Sequence, residues 1–335
     1  MKTPPYSTED VLPAPTPPAD SAGSAAVKVN RGTNSRLTWC SIFVAALSAL
    51  FSRSLLFLFI YSAGKELDSY ILLIPFITGY FLYLERKNIP ADYISPPPPP
   101  FRPAAIGFAA LAADFHFRQS LSQNDSFSLI ALAFVSFIAA GGFLFLGRQV
   151  MAALAFPIGF LLFLIPMPDA AVNTLETASK LASAEMAAIF FTLFDVPVLR
   201  NGTYFQLPGV TIRVAQECSG IHSSLILIIA SLIACHLILR SFWRRAALIL
   251  FAIVLGVVRN GFRILVLGWL CVHVGPRILD TPIHHHGGPI FFILSLVPMS
   301  ILLWAFCKAE SKHLPKKSPG NNIGAGLAGS GLQSP

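Results

Sequence analysis

The stretch Glu217-Cys218-Ser219-Gly220-Ile221 stands where a polar, turn-rich segment gives way to an unbroken apolar run that ends near Leu239. A helix needs about 20 residues to cross the apolar core of a membrane. The stretch therefore predicts a membrane helix that has a thiol at its beginning. A cysteine in this position is either a small packed side chain or a nucleophile, because the helix dipole favours the thiolate.

The composition of the whole chain is that of an integral membrane protein. Of its 335 residues, 54% are hydrophobic and only 12% are charged. The formal net charge is +8, but the basic residues stand at the ends of apolar runs and not on one soluble face. The charge therefore indicates membrane topology, and no nucleic-acid partner is expected. The five cysteines lie mostly inside apolar segments, so no disulfide framework is expected either.

Apolar runs and polar breaks alternate over residues 37–307, which we interpret as one transmembrane domain. The predicted spans cover residues 38–62, 70–85, 103–116, 127–146, 149–165, 219–239, 246–272 and 288–307. The third span is short, so the count is seven or eight. With eight spans, the positive-inside rule places the basic clusters and both termini in the cytoplasm. The flanking segments, 1–36 and 308–335, lack apolar periodicity and are predicted to be disordered cytoplasmic tails.

The segment 174–216 is expected to lie on the outer face of the membrane. Apolar residues recur at helical spacing over 174–194, and Asn173 and Glu176 form a capping pattern at the start. This pattern predicts an amphipathic interfacial or re-entrant helix.

Two turn signals follow that helix, Asn201-Gly202 and Pro208-Gly209, and each stands between short β-prone runs. They predict one or two small hairpins that lead the chain to Cys218. The fold class is therefore an all-α polytopic membrane protein with about eight transmembrane helices, an outer amphipathic helix and a small β-hairpin-like loop.

Two arginines lie inside a later apolar run. Arg263 follows Arg245 by 18 residues. At 1.5 Å per residue it has risen about 27 Å and reaches the outer level of Cys218. Arg259 and Arg263 either extend to the lipid headgroups or serve a function, and the cost of a charge in an apolar run favours a function.

Three histidines, His284, His285 and His286, precede the last span on the same side. Spaced Asp, Glu or Cys residues do not complete a metal site beside them, so we expect no metal and no cofactor. A thiol, a histidine and a guanidinium together fit acyl transfer, in which a thiolate attacks a peptide carbonyl. His222, one turn after Cys218, is an alternative base.

At these residues the chain resembles the exosortase/archaeosortase family of multi-pass membrane cysteine transpeptidases, which process carboxy-terminal sorting signals. The resemblance covers about residues 68–300. It rests on the motif at 217–221, on Asn260-x-x-Arg263-Ile264, on His284 with Gly288 and Phe291, and on the segments 73–75, 163–168, 196–202 and 207–209.

The resemblance implies that Cys218 is the nucleophile, Arg263 the essential arginine and His284 the third catalytic residue. Because the histidine is tripled, His285 and His286 stay open as alternatives. Supporting or substrate-binding roles are expected for Glu217, Ser219, Gly220, Arg259, Asn260, His285, His286, Gly288 and Arg200.

The resemblance further implies a place in the bacterial inner membrane, with membrane lipids around the protein and the active site on the outer face. The partners would be exported proteins of the PEP-CTERM type, whose tail has a short motif such as Pro-Glu-Pro, a transmembrane helix and a basic end. They would be transferred to a surface or extracellular acceptor.

Two other function classes remain open from the residues alone. A transporter or polysaccharide-export component would use Arg259 and Arg263 to bind an anionic substrate. Such a protein is expected to spread its charges through the membrane midplane and to show an internal repeat, whereas here the charges gather toward one face beside a thiol. An inactive scaffold that keeps the fold is the third class.

Overall fold

The computed structural model describes residues 20–65, 67–86, 101–208, 210–214, 220–275 and 288–313. These residues are mostly helical and include one small sheet. The chain forms two compact units, Met1–Glu176 and Thr177–Pro335.

The first unit is built from helices alone in its described residues. They are α1 (Asp20–Ala63), a 3-10 turn (Ser69–Leu73), α2 (Ile74–Glu85), α3 (Phe101–Phe117), α4 (Gln123–Ala153), α5 (Ala155–Phe160), a second 3-10 turn (Leu161–Leu164) and the start of α6 (Asp169–Leu193). Helix α1 begins at Asp20, within the segment 1–36 that the sequence predicts to be a disordered tail. Extending an existing helix is easier than starting one, because each added residue contributes one hydrogen bond. Helix α4 changes direction at Gly147, whose φ of 75° and ψ of 177° are not helical.

Helix α6 begins at Asp169, five residues before the predicted start at 174. The reason is a contact with the first turn of α4. The backbone N–H of Asp169 donates to the Asp125 carboxylate at 2.8 Å. In return, the Asn124 side chain donates to the Met167 carbonyl oxygen at 2.7 Å and to the Asp169 carboxylate at 2.8 Å. Because these partners lie more than 40 residues earlier in the chain, a local capping pattern could not locate this helix start.

The second unit contains the rest of α6 and a three-stranded antiparallel sheet of β1 (Leu199–Asn201), β2 (Tyr204–Leu207) and β3 (Val210–Arg213). Asn201 pairs with Tyr204, and Leu207 pairs with Val210, so two residues connect each pair of strands. Gly202 has a φ of +62°, which suits the first of these turns. The sheet confirms the predicted hairpins.

The face that α6 buries is not the apolar face that its sequence suggests. Small residues and one aromatic ring are buried, namely Ser183, Ala184, Ala187 and Phe191. Of these, Ala184, Ala187 and Phe191 belong to a core with Phe205, Leu207 and Val214 from the sheet region and with Ile264 and Leu265 further along the chain. The larger residues Leu181, Ile189 and Leu193 are 51 to 69% exposed. Apolar side chains that the protein leaves exposed are typical of a helix that lies at a membrane surface.

Three long helices complete the second unit: α7 (Ile221–Ile238), α8 (Phe242–Val274) and α9 (Gly288–His313). They share a buried core of Leu227, Cys235, Leu239, Leu248, Ala252 and Met299. Glu310 of α9 caps the start of α8, since its carboxylate accepts hydrogen bonds from the backbone N–H of Arg240 at 3.1 Å and of Ser241 at 2.8 Å.

Five helices in the described residues are long and apolar enough to cross a membrane. They are Ser35–Ala63, Gln123–Ala153, Ile221–Ile238, Phe242–Val274 and Ile290–Ser311. A bent pair, Ala155–Leu164 with Asp169–Leu193, could add a sixth, although the two helices meet at 89°. The chain is therefore a multi-pass membrane protein.

The predicted count of about eight spans is not confirmed. The predicted span 70–85 corresponds to the short apolar stretch Ser69–Glu85, and 103–116 corresponds to the 17-residue helix α3. The predicted span 149–165 is divided between the end of α4, the six-residue α5 and a 3-10 turn. Apolar composition alone does not reveal these helix ends.

Candidate functional site

The site is built around Gly220, which immediately precedes α7 and follows Cys218 by two positions. Its φ of 66° and ψ of 13° are left-handed, a conformation that glycine adopts without steric cost. The Gly220 carbonyl oxygen accepts hydrogen bonds from the backbone N–H of Ser224 at 3.0 Å and from the hydroxyls of Ser223 at 3.1 Å and Ser224 at 2.9 Å. The first turn of α7 is thus held by hydrogen bonds to the carbonyl oxygen of this one residue.

Arg259 of α8 binds the same carbonyl from the neighbouring helix. Its Nη2 lies 3.3 Å from the Gly220 oxygen, 2.6 Å from the Ser223 hydroxyl and 3.2 Å from the Ser224 hydroxyl. The geometry follows from helix length. At 1.5 Å per residue, the 18-residue α7 is about 27 Å long, and the rise from Phe242 to Arg259 is about 26 Å. Because α7 and α8 are joined by a short turn, Arg259 returns to the level at which α7 begins.

Arg259 is only 7% exposed. Its Nη1 is buried and makes no hydrogen bond to any described residue. The three acceptors of Nη2 are neutral oxygens, so they solvate the guanidinium without neutralising its charge.

Asn260 contacts Gly220 from the same turn of α8. A Cβ built on Gly220 would lie 2.8 Å from Asn260 Oδ1, so the two residues meet without room for a side chain. Asn260 is 2% exposed, and its Nδ2 donates to the Ser183 hydroxyl of α6 at 3.0 Å. Asn260 thereby connects α6 with the beginning of α7.

Arg263 follows Arg259 by one helical turn and is half-buried. Residues four apart share a face of a helix. The two guanidinium-bearing residues are therefore neighbours along the side of α8 that meets Gly220, with Arg263 one turn further from the α7–α8 connection.

Arg200, on β1, is engaged elsewhere. Its two terminal nitrogens bind the Glu185 carboxylate of α6 at 2.9 and 2.6 Å, and its Nε donates to the Gly202 carbonyl oxygen at 2.9 Å. The hydrogen bond to Glu185 raises the pKa of the Arg200 guanidinium. In this structure Arg200 fastens the first hairpin to α6.

The structure thus brings together Gly220, Arg259 and Asn260 from two separate sequence motifs. The predicted residues Glu217, Cys218, Ser219, His284, His285 and His286 lie outside the described residues. Gly288 is placed at the beginning of α9.

Comparison with known proteins gives one match. The sequence model of the transmembrane exosortase family matches residues 60–301. The chain belongs to this family. The match extends from the end of α1 into α9 and includes every described residue of the site. No curated protein and no solved structure matches the chain. Family membership makes this exosortase a multi-pass membrane protein of a family that consists generally of membrane proteases and transpeptidases.

The site of this exosortase contains four residues that the sequence did not suggest. Ser223 and Ser224 lie in the first turn of α7, directly after the cysteine motif, where hydroxyl side chains commonly bind free backbone groups. That signal was available in the sequence. Ser183 and Glu185 act through partners 77 and 15 residues away, so no local pattern marks them.

Proposed function

We propose that this exosortase is a membrane-embedded cysteine transpeptidase that cleaves the carboxy-terminal sorting tail of exported proteins. The observation that carries the proposal is the contact of Arg259 and Asn260 with Gly220. It joins the Asn260-x-x-Arg263 element to a residue two positions from Cys218.

The covalent chain limits how far the thiol can be from this contact. Two residues span at most about 7 Å, so Cys218 is tied close to the beginning of α7. The positive end of the α7 dipole and the arginines of α8 both favour the thiolate over the thiol. These are the conditions in which a cysteine serves as a nucleophile.

In the proposed reaction, the thiolate of Cys218 attacks the scissile peptide carbonyl. The C–N bond then breaks, and the departing amine takes a proton from a histidine, for which the family resemblance favours His284 over His285 and His286. A thioester remains on Cys218. An acceptor amine, or water, attacks the thioester and regenerates the thiol. Arg263 orients the peptide and stabilises negative charge on the carbonyl oxygen.

The proposed substrates carry a short motif such as Pro-Glu-Pro, then a transmembrane helix and a basic end. Such a tail enters the lipid beside the enzyme, so the cleaved bond would lie near the surface where α7 begins. We place the enzyme in the bacterial inner membrane, with both termini in the cytoplasm and the reaction on the outer face. The choice of membrane rests on the family resemblance, and the orientation rests on the positive-inside rule applied to an even number of spans.

The test is to co-express the full-length protein with a reporter that ends in such a tail. Wild-type protein shortens the reporter, and Cys218→Ala abolishes the shortening. Cys40→Ala is the matched control, because Cys40 is a half-buried thiol in α1, distant in sequence from both site motifs. Mass spectrometry should locate the thioester on Cys218. Normal processing by Cys218→Ala would overturn the proposal.

A further inference from the structure

The described residues that bind the guanidinium of Arg259 carry no negative charge. It is 93% buried, and its hydrogen-bond partners in the described part of the chain are the Gly220 carbonyl and two serine hydroxyls. A buried charge is expensive unless it is paired. The nearest arginine along α8, Arg263, has the same sign. The positive end of the α7 dipole points at the same place.

One of the two terminal nitrogens of Arg259 is also unused. Nη2 makes all three hydrogen bonds, while Nη1 is buried without a partner among the described residues. A buried donor without an acceptor costs about 1–3 kcal/mol, and more when it is charged. The guanidinium is rigid and planar, so fixing Nη2 on Gly220 also fixes the position of Nη1. Nη1 is therefore a preorganised, charged donor at the beginning of α7.

A donor of this kind matches an oxygen that becomes negative. We infer that Nη1 of Arg259 donates a hydrogen bond to the carbonyl oxygen that the Cys218 thiolate attacks, which makes Arg259 a second catalytic arginine beside Arg263. The inference rests on the proposed transpeptidase function and identifies Nη1 as a hydrogen-bond donor to the oxyanion in that reaction. Because Nη2 already holds the guanidinium in place, Nη1 needs no reorientation when the negative charge forms. The substrate must displace the contacts that bury Nη1 in the free protein.

The C–S bond forms as the carbonyl π pair moves to oxygen, and Nη1 binds that oxygen while it is negative. When the intermediate collapses, the pair returns to the carbonyl and the C–N bond breaks, with the amine leaving as described above. The charge on Arg259 does not change, because arginine stays protonated throughout.

The two terminal nitrogens thus have separate tasks. Nη2 holds the Gly220 carbonyl and the serine hydroxyls, which fixes the beginning of α7. Nη1 receives the substrate oxygen. Lysine cannot do both, since its ammonium is a single point charge and lacks the rigid fork.

The experiment compares Arg259→Lys and Arg259→Gln in the full-length protein, in phospholipid vesicles, with a fluorescent peptide that carries Pro-Glu-Pro, a transmembrane helix and a basic end. Loss of one oxyanion donor lowers kcat about 100- to 1,000-fold, and we expect KM to stay within about twofold. Lysine keeps the charge and can still reach Gly220, so this variant is expected to fold even where the glutamine variant does not.

The matched control is Arg245→Lys. Arg245 lies on the same helix and also binds a backbone carbonyl, that of Leu239, through Nε at 2.8 Å, but at the other end of the α7–α8 pair. If Arg259 only holds the two helices together, both lysine variants will lower the unfolding midpoint and kcat alike. If our inference is correct, kcat falls only for Arg259→Lys. An equal kcat for the two variants, or a change in KM alone, overturns the inference.

The inference and the proposed function fail in different ways. Reporter cleavage that continues in Cys218→Ala overturns both. Cleavage that depends on Cys218 but survives Arg259→Lys unchanged overturns only the role of Arg259.

Discussion

Asn260 Oδ1 lies only 2.8 Å from the position that a Cβ would take if any other residue replaced Gly220. Glycine is therefore required at position 220 for two reasons: its backbone is left-handed, and Asn260 leaves no room for a side chain.

We expect Gly220→Ala to abolish reporter processing and to lower stability. The left-handed conformation costs a residue with a Cβ roughly 1–2 kcal/mol, and the new methyl group would displace Asn260. Processing in cells and the unfolding midpoint in detergent measure the two effects.

Gly159→Ala is the control for that variant. Nothing lies within 4 Å of the Cβ that it would introduce into α5. It should process the reporter normally and unfold at the wild-type temperature or slightly above, because alanine favours a helix. Wild-type activity in Gly220→Ala would contradict the close packing of Gly220 and Asn260.

Ser183→Ala should destabilise the protein by about 0.5–1.5 kcal/mol, because it removes the hydrogen bond from the buried Asn260 amide to the Ser183 hydroxyl. Thr192→Ala on the same helix is the comparison, since the exposed Thr192 hydroxyl donates to the Ala188 carbonyl within that helix. Thermal unfolding of both variants in detergent should show a clear decrease for Ser183→Ala alone. Equal midpoints would show that the bond between α6 and α8 contributes nothing.

The ion pair of Arg200 and Glu185 should stabilise the fold by holding β1 against α6. Arg200→Glu places two carboxylates together, whereas the double variant Arg200→Glu/Glu185→Arg restores opposite charges. Because the pair is partly exposed, we expect the single change to lower the unfolding midpoint only slightly and the double change to recover most of that loss. If the single variant loses processing and the exchanged pair does not restore it, Arg200 instead binds substrate.

Gly261→Ala should destabilise the protein more than Gly142→Ala. A Cβ on Gly261 would lie 2.6 Å from Met186 Cβ and 3.0 Å from the backbone nitrogen of Ala187, neither of which can move without shifting α6. At Gly142 the nearest atom is the sulfur of Met151, near the end of a flexible side chain. Unfolding midpoints that fall equally would argue against a close approach of α6 and α8.

The sequence predicted the parts of the fold that depend on composition and local turns. Long apolar runs located five helices, and Asn201-Gly202 and Pro208-Gly209 located the hairpins. The motifs at 217–221 and 260–264 led to the correct family. Each of these signals is contained within a few consecutive residues or one long run.

The sequence did not predict features that depend on contacts between distant residues. The start of α6 is fixed by Asp125, and the buried face of α6 carries Ser183 and Ala187 where hydropathy favours Leu181 and Ile189. In a membrane protein, apolar side chains can face lipid while small residues meet other helices, so hydropathy identifies the wrong face for packing. The bonds from Arg259 to Gly220 likewise required both helices to be in place.

The length of α8 sets a distance scale for the proposed reaction. Its 33 residues extend about 50 Å, whereas the apolar core of a membrane is about 30 Å thick. Arg259 lies about 26 Å from the beginning of the helix, and Ile264 and Leu265, which pack against the sheet region, lie about 33 to 35 Å from it. If α8 begins at one face of the apolar core, Arg259 would lie near the opposite face and the sheet beyond it. The enzyme would then select a bond by its height above the lipid. Adding residues between the recognition motif and the membrane helix of a substrate would raise the motif above the level of Arg259. Cleavage would then be lost even though the motif itself is unchanged.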